Sequence, residues 1–228
     1  MVRKSRQREY ENNERERRSP WNVVSFVLFV LLSFTAVLLT LDDKPSLRSG
    51  DLVFQTGGGD MSQAIGESTG GSFSHVGIIE RCGDSLFVLE ATPEKGVART
   101  PFQEFADSSA RDAAGRPEIA FYRVKNLSKA LKDSAVARAR GFLGRPYNIS
   151  FMGGPDSLYC SELVWEAFLD GSGEHIFPRI PMNFKDEGDT VSRYWVEFYA
   201  ALGREVPQGE PGTNPNDLSK SKRLKKIH

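Results

Sequence analysis

The chain has little of what metal and cofactor chemistry usually requires. Its 228 residues include two cysteines, Cys82 and Cys160, and three histidines, His75, His175 and His228. None stands at metal-ligand spacing, so no metal site is expected, and no cofactor is implied. A phosphate-cradling motif is missing too: Gly57-Gly58-Gly59 lacks a following Lys and Ser/Thr and reads as a flexible loop. Thirty Lys/Arg balance thirty Asp/Glu, leaving a net charge of zero. No basic stripe interleaved with aromatics runs through the body of the chain, so nucleic acid is not an expected partner. No internal repeat is present. His228 is terminal, and His175 lies in the loop composition Gly171-Ser172-Gly173-Glu174, which leaves His75 as the histidine to explain.

The amino-terminal region sets location. Trp21 to Leu41 is a run of 21 residues without a charge, long enough to cross a hydrocarbon core that needs about 20. Seven Lys/Arg precede it in residues 1–20, and Asp42 and Asp43 follow it. By the charge rule the basic segment stays in the cytoplasm and the following domain is extracytoplasmic, periplasmic or extracellular. The run exceeds a signal-peptide core of about 7–15 residues and lacks a small-residue cleavage site, so an uncleaved transmembrane anchor is expected over residues 21–41. About 180 residues remain, enough for one domain. Its expected span is 45–205, followed by a Pro/Gly-rich basic tail over 206–228.

Three residues of this domain form a chemical constellation. Ser74–Glu80 and Ser85–Ala91 are apolar, β-branched runs separated by turn residues, which predicts a hairpin. With a loop symmetric about the Cys82–Gly83 bond, Arg81 pairs with Asp84, Ile79 with Leu86 and His75 with Glu90. Directly opposed residues share a face, with Cβ atoms roughly 4.5–5.5 Å apart. The carboxylate then fixes the imidazole tautomer and stabilises its protonated form. A slip of one residue would send the two to opposite faces. Downstream, Cys160, Leu163, Val164, Ala167 and Phe168 share one helix face, behind the breaker Gly153-Gly154-Pro155. Cys160 thus falls in the first turn, where the helix dipole favours a thiolate and free N–H groups can receive an oxyanion. A buried cysteine alone would be a packing residue. With His75 and Glu90 upstream, it reads as a nucleophile with base and orienting acid. Gln55 and Tyr159 are the candidate substrate-binding residues, one as an amide donor and the other as a phenol beside the nucleophile.

The order His75, Glu90, Cys160 resembles the circularly permuted NlpC/P60 papain-like hydrolases, within them the YiiX/YebB-like group. Gly50-Asp51-Leu52-Val53-Phe54-Gln55, Ser74-His75-Val76-Gly77-Ile78-Ile79, Leu89-Glu90-Ala91, Gly144-Arg145-Pro146-Tyr147 and Tyr159-Cys160-Ser161-Glu162-Leu163 carry the resemblance. It spans about residues 45–225. It implies an α+β permuted papain-like domain with an antiparallel sheet and a cysteine-bearing helix, a Cys-His-Glu triad, and hydrolysis or transfer at an amide, thioester or ester. Peptide, amino-acid or peptidoglycan-type amides are the leading substrates. A lipid acyl substrate, as in the related lecithin:retinol-acyltransferase-like enzymes, is the alternative, and a membrane-tethered binding protein without turnover is the rival from another class. The sequence does not define the oligomeric state.

Local patterns supply the remaining elements. Strands are expected at Asp51–Gln55 and Ile119–Val124, a short helix near Ser62–Glu67, a helix starting at Thr100-Pro101 and an amphipathic helix over Ser128–Leu143. Gly57–Gly71 is expected to form a mobile rim to the pocket. The composition of the tail predicts disorder, whereas the resemblance implies that Pro215–Leu218 docks on the domain.

Overall fold

The computed structural model describes residues 46–154 and 156–227. The basic segment 1–20 and the apolar run 21–41 lie outside the described residues, among which no helix is long and apolar enough to cross a membrane.

One six-stranded antiparallel sheet organises the domain, in the order β4-β3-β2-β1-β5-β8. Its strands are β1 (Asp51–Gln55), β2 (His75–Cys82), β3 (Ser85–Thr92), β4 (Gly96–Pro101), β5 (Ile119–Val124) and β8 (Leu224–Ile227). Alternation sorts the sheet into two faces. Leu52, Phe54, Val76, Ile78, Leu89 and Ala91 point into the main core. Val53, Ile79 and Val88 point the other way, beneath Phe105. Phe105 belongs to the short helix α2 (Phe102–Asp107), which follows α1 (Asp60–Thr69). The main core is closed by α3 (Lys129–Gly141) and α4 (Cys160–Ala167). A second apolar cluster, built on Phe151, Tyr159, Met182, Phe184, Trp195 and Tyr199, brings in α5 (Arg193–Ala201). The stretch read as a mobile rim therefore holds α1, a ten-residue helix.

The hairpin differs from its expected register by two residues. The observed pairs are Ile79 with Val88, Arg81 with Leu86 and Cys82 with Ser85, so Gly83-Asp84 forms the two-residue loop. Gly83 takes φ 59°, the positive value such loops need at the first central position. Cys-Gly was the wrong pair because cysteine does not adopt that conformation readily. A shift of two preserves side-chain parity, so His75 and Glu90 remain on one face as diagonal neighbours.

The segment 206–227 is part of the same compact unit, Ser46–Ile227, and not a separate tail. It forms β7 (Pro211–Gly212), which pairs with β6 (Ile180–Pro181), then α6 (Pro215–Ser219) and β8. Asn214 caps α6 by accepting from the Asp217 N–H at 2.9 Å, and Pro215 occupies the first turn. Buried Asn216 then ties the segment to the sheet. Its Nδ2 donates to Thr69 Oγ1 at 2.6 Å and to the Phe73 carbonyl at 2.8 Å, and its Oδ1 accepts from the Phe73 N–H at 3.0 Å. Composition missed this because few apolar residues, Leu218 and Leu224 among them, enter the core, and specific hydrogen bonds and the pairing of β8 with β5 do the rest. Asn216→Ala is expected to lower the unfolding free energy by about 2–3 kcal/mol, read by urea denaturation, since it strands buried backbone groups of Phe73.

Candidate active site

His75 opens β2, and its Nε2 lies 2.6 Å from Glu90 Oε2. Gly77 stands opposite Glu90 in the ladder, and a Cβ there would clash with Val88 Cγ1. The long carboxylate side chain can lean along the strand toward the ring, within the reach of diagonal pairs. Phe105 lies against the imidazole, with ring centroids 5.8 Å apart and planes tilted by 33°.

Gln55 stands opposite His75 in the β1–β2 ladder. Its Nε2 donates to the Phe105 carbonyl at 3.1 Å and to Ser108 Oγ at 2.9 Å. Both amide hydrogens are thus committed to the end of α2, and Gln55 braces the phenyl ring that rests on His75.

Cys160 is the first residue of α4 and is buried. The helix packs on the Val76/Ile78/Leu89 face of the sheet, opposite to the face that alternation gives His75. Thiol and imidazole meet because His75 begins its strand at the sheet rim, where the N-terminus of α4 arrives. With Nε2 engaged by Glu90, Nδ1 is the ring nitrogen left to face Cys160, which is near enough to affect the titration of His75. Burial opposes the imidazolium, but hydrogen bonds and negative charge from Cys160 and Glu90 outweigh it and raise the His75 pKa to about 10. Burial likewise works against the Glu90 carboxylate, yet the hydrogen bond and charge of His75 hold it below the usual value. The N–H groups in the first turn of α4, which begins at Cys160, have no intrahelical partner and are able to receive an anion.

Two spaces flank this pair. On the histidine side a polar cleft runs past His75 and Glu90 to Glu94, Lys95 and Glu104. On the cysteine side an apolar recess is walled by Ile65, Phe151, Met182, Phe184 and Trp195.

Residues 46–228 match the family described as permuted papain-like amidase enzymes, YaeF/YiiX, C92. The chain belongs to that family. As a member it is a cysteine hydrolase of the amidase kind with a permuted papain-like fold. It is similar to the protein YiiX of Escherichia coli (strain K12), with 29% identity over 169 residues, 74% of this chain and 79% of that protein. It also resembles a crystal structure described as metalloprotein yiiX from Escherichia coli O157:H7. That match has a TM-score of 0.67 and 25% identity, and covers 79% of this chain and 96% of the other. Among the described residues of this chain no group of three or more His, Cys, Asp or Glu side chains could hold a metal ion.

Tyr159, the residue before the nucleophile, turns away from the polar cleft and packs in the second apolar cluster. Its hydroxyl accepts from the Thr213 N–H at 3.0 Å, and burial pushes its pKa up to about 12. It positions the start of α4 and lines the apolar recess. Tyr147 was not singled out in the sequence, although it sits in Gly144-Arg145-Pro146-Tyr147. It lines the polar cleft beside His75, and burial, followed by the negative charge of Cys160, raises its pKa well above that of a free phenol. At neutral pH the group is an uncharged phenol. His175 is remote from the site, stacked on Trp165 with centroids 3.3 Å apart. Cys82 is exposed beside Arg99 and is not in a disulfide.

Glu162 also escaped the sequence reading. It is the third residue of α4, only 1% exposed, with Arg179 Nη2 at 3.3 Å from Oε1 and Oε2 unpaired. Burial raises its pKa to about 7, against the lowering effects of the Arg179 charge and the Tyr159 backbone N–H. A carboxyl whose folded pKa exceeds its unfolded value favours folding less and less as pH rises between the two. Glu162→Gln keeps an amide at the capping position and removes the buried charge. Relative to wild type, its melting temperature should therefore rise by several degrees between pH 4.5 and 7 and then hold constant, as followed by calorimetry.

Proposed function

We propose that this enzyme cleaves amide bonds through an acyl-enzyme on Cys160, with His75 as base and acid and Glu90 as the orienting carboxylate. The reading is carried by one observation: a thiol at a helix N-terminus shares a rim with a hydrogen-bonded His–Glu pair, in a member of an amidase family. His75 takes the thiol proton, and Sγ attacks the substrate carbonyl carbon. The carbonyl oxygen gains the charge, received by the N–H groups of the first turn of α4 and by the Tyr147 hydroxyl. Collapse of the tetrahedral intermediate breaks the C–N bond, and the leaving amine takes the proton from His75. Water, deprotonated by His75, then attacks the thioester, releases the acid and restores the thiol. Peptide, amino-acid and peptidoglycan-type amides are the proposed substrates. The apolar run 21–41 is proposed as a single-pass anchor with residues 1–20 in the cytoplasm and the enzyme domain outside. A second reading, hydrolysis or transfer of lipid acyl groups, is favoured by the apolar recess, which lies on the side where a substituent of the attacked carbonyl would sit.

Iodoacetamide labelling of Cys160, followed by mass spectrometry on the full chain, tests the mechanism. Labelling should be fast at pH 6 and fall at least tenfold in His75→Ala. Slow labelling that is indifferent to the mutation would favour a binding protein without turnover.

Once an amide substrate is in hand, Cys160→Ala should abolish turnover. Glu90→Gln and Tyr147→Phe should each lower kcat/KM by roughly 10- to 100-fold. The imidazolium form of His75 is the partner of the thiolate, and it is lost as pH rises through its raised pKa. The alkaline limb of kcat/KM should therefore fall near pH 10.

A further inference from the structure

The surface where the described chain begins is basic. Beside Ser46 and Leu47 lies an open hollow lined by Arg48, Arg81, Lys129, Lys132 and Asp133. Lys225 joins it from the edge strand β8, where it pairs with Arg123 in the ladder. The acids here are already engaged: Asp51 is held by Arg123 through two hydrogen bonds of 2.7 Å, and Asp133 by Lys129 at 2.7 Å. Among the described residues Asp84 of the hairpin turn is the remaining acid near the rim; in the sequence Asp42 and Asp43 precede Ser46. Arg48, Arg81, Lys132 and Lys225 are left in excess. Burial lowers the Lys132 pKa, and of its charged neighbours Arg123, Arg48 and Lys225 push the same way while Asp51 alone opposes them. Among the described residues the positive charges outnumber the free acids, and a bound anion would relieve the excess.

The sequence says which anions lie within reach. Only Asp42–Pro45 separate the apolar run 21–41 from Ser46, and four residues span at most about 14 Å. A tether that short keeps the residues around Ser46 within reach of the bilayer that the anchor reading gives residues 21–41. We propose that this basic face seats the domain on anionic phospholipid headgroups of the membrane that residues 21–41 cross. The proposal rests on the anchor reading and adds an orientation to it. Asp51 starts β1 at the basic face, and Gln55 ends it opposite His75, so the cleft lies one strand length from the basic face. That placement favours amides outside the bilayer over its own lipids.

The test uses the full chain reconstituted into phosphatidylcholine vesicles, with and without about 30% phosphatidylglycerol, and reads amide hydrogen exchange. In the anionic vesicles, residues 46–50, 81–84 and 129–133 should exchange at least fivefold more slowly, the scale set by one basic residue at a charged surface. The slowing should vanish in about 0.5 M salt and in Arg48→Gln/Lys129→Gln/Lys132→Gln, whose Cys160 labelling rate confirms an intact fold. Insertion into both vesicle types with identical exchange would overturn the proposal and leave the anchor standing. A chain that fails to insert but binds anionic vesicles through these residues would support the basic face and refute the anchor. No association with either vesicle refutes both. Slowing produced by inorganic phosphate in neutral vesicles would assign the face to soluble anions and overturn the lipid assignment.

Discussion

The hydrogen bond between His75 Nε2 and Glu90 Oε2, 2.6 Å long between a half-buried ring and a buried carboxylate, is the constraint on which the site depends. A carboxylate in that position is costly unless a donor meets it, and an imidazolium there is costly unless an anion does. Each group makes the other tolerable, and together they leave one imidazole nitrogen free for Cys160. The surrounding architecture serves this contact. Gly77 lets the strand lie close against Val88 beside the pair, Phe105 covers the ring, and Gln55 fixes the segment that presents Phe105. Gln55, expected to be a substrate donor, spends both amide hydrogens on the segment that carries Phe105 beside His75.

The nucleophile is positioned by different means. Leu163, Val164 and Ala167 are fully buried and set α4 on the sheet, while Tyr159 fastens its start to Thr213. Thr213 belongs to the C-terminal segment, which Asn216 in turn ties to Phe73, two residues before His75. The last twenty residues therefore couple the thiol's helix to the histidine's strand by a route that includes no catalytic group. Glu162 adds a buried charge at the same helix end, paired only on one oxygen. That is a destabilising arrangement at neutral pH, of the kind expected where local electrostatics serve more than folding.

Much of this was legible in the letters. Alternation and periodicity located β1 and β5 with their observed limits, the α3 and α4 segments and the hairpin, because each carries its own apolar pattern and turn or cap residues. Less was legible where the pattern is thin. β4, β6, β7 and β8 are short or polar strands that exist because a partner strand is present, and α5 gave no cap signal with a side-chain bond. Tyr147 and Glu162 carry no local mark of burial, since their surroundings come from distant segments.

The sequence by itself determined the cysteine at a helix start, the parity that keeps His75 and Glu90 on one face, the family and the charge asymmetry about the apolar run, because these depend on spacings along the chain. The tertiary structure alone decided the true hairpin register, the commitment of Gln55 and Tyr159 to bracing roles, the docking of residues 206–227 and the meeting of thiol and imidazole at the sheet rim. Those outcomes depend on which groups are brought within about 3 Å of one another across long stretches of chain, and hydrogen bonds at that distance have no signature in local composition.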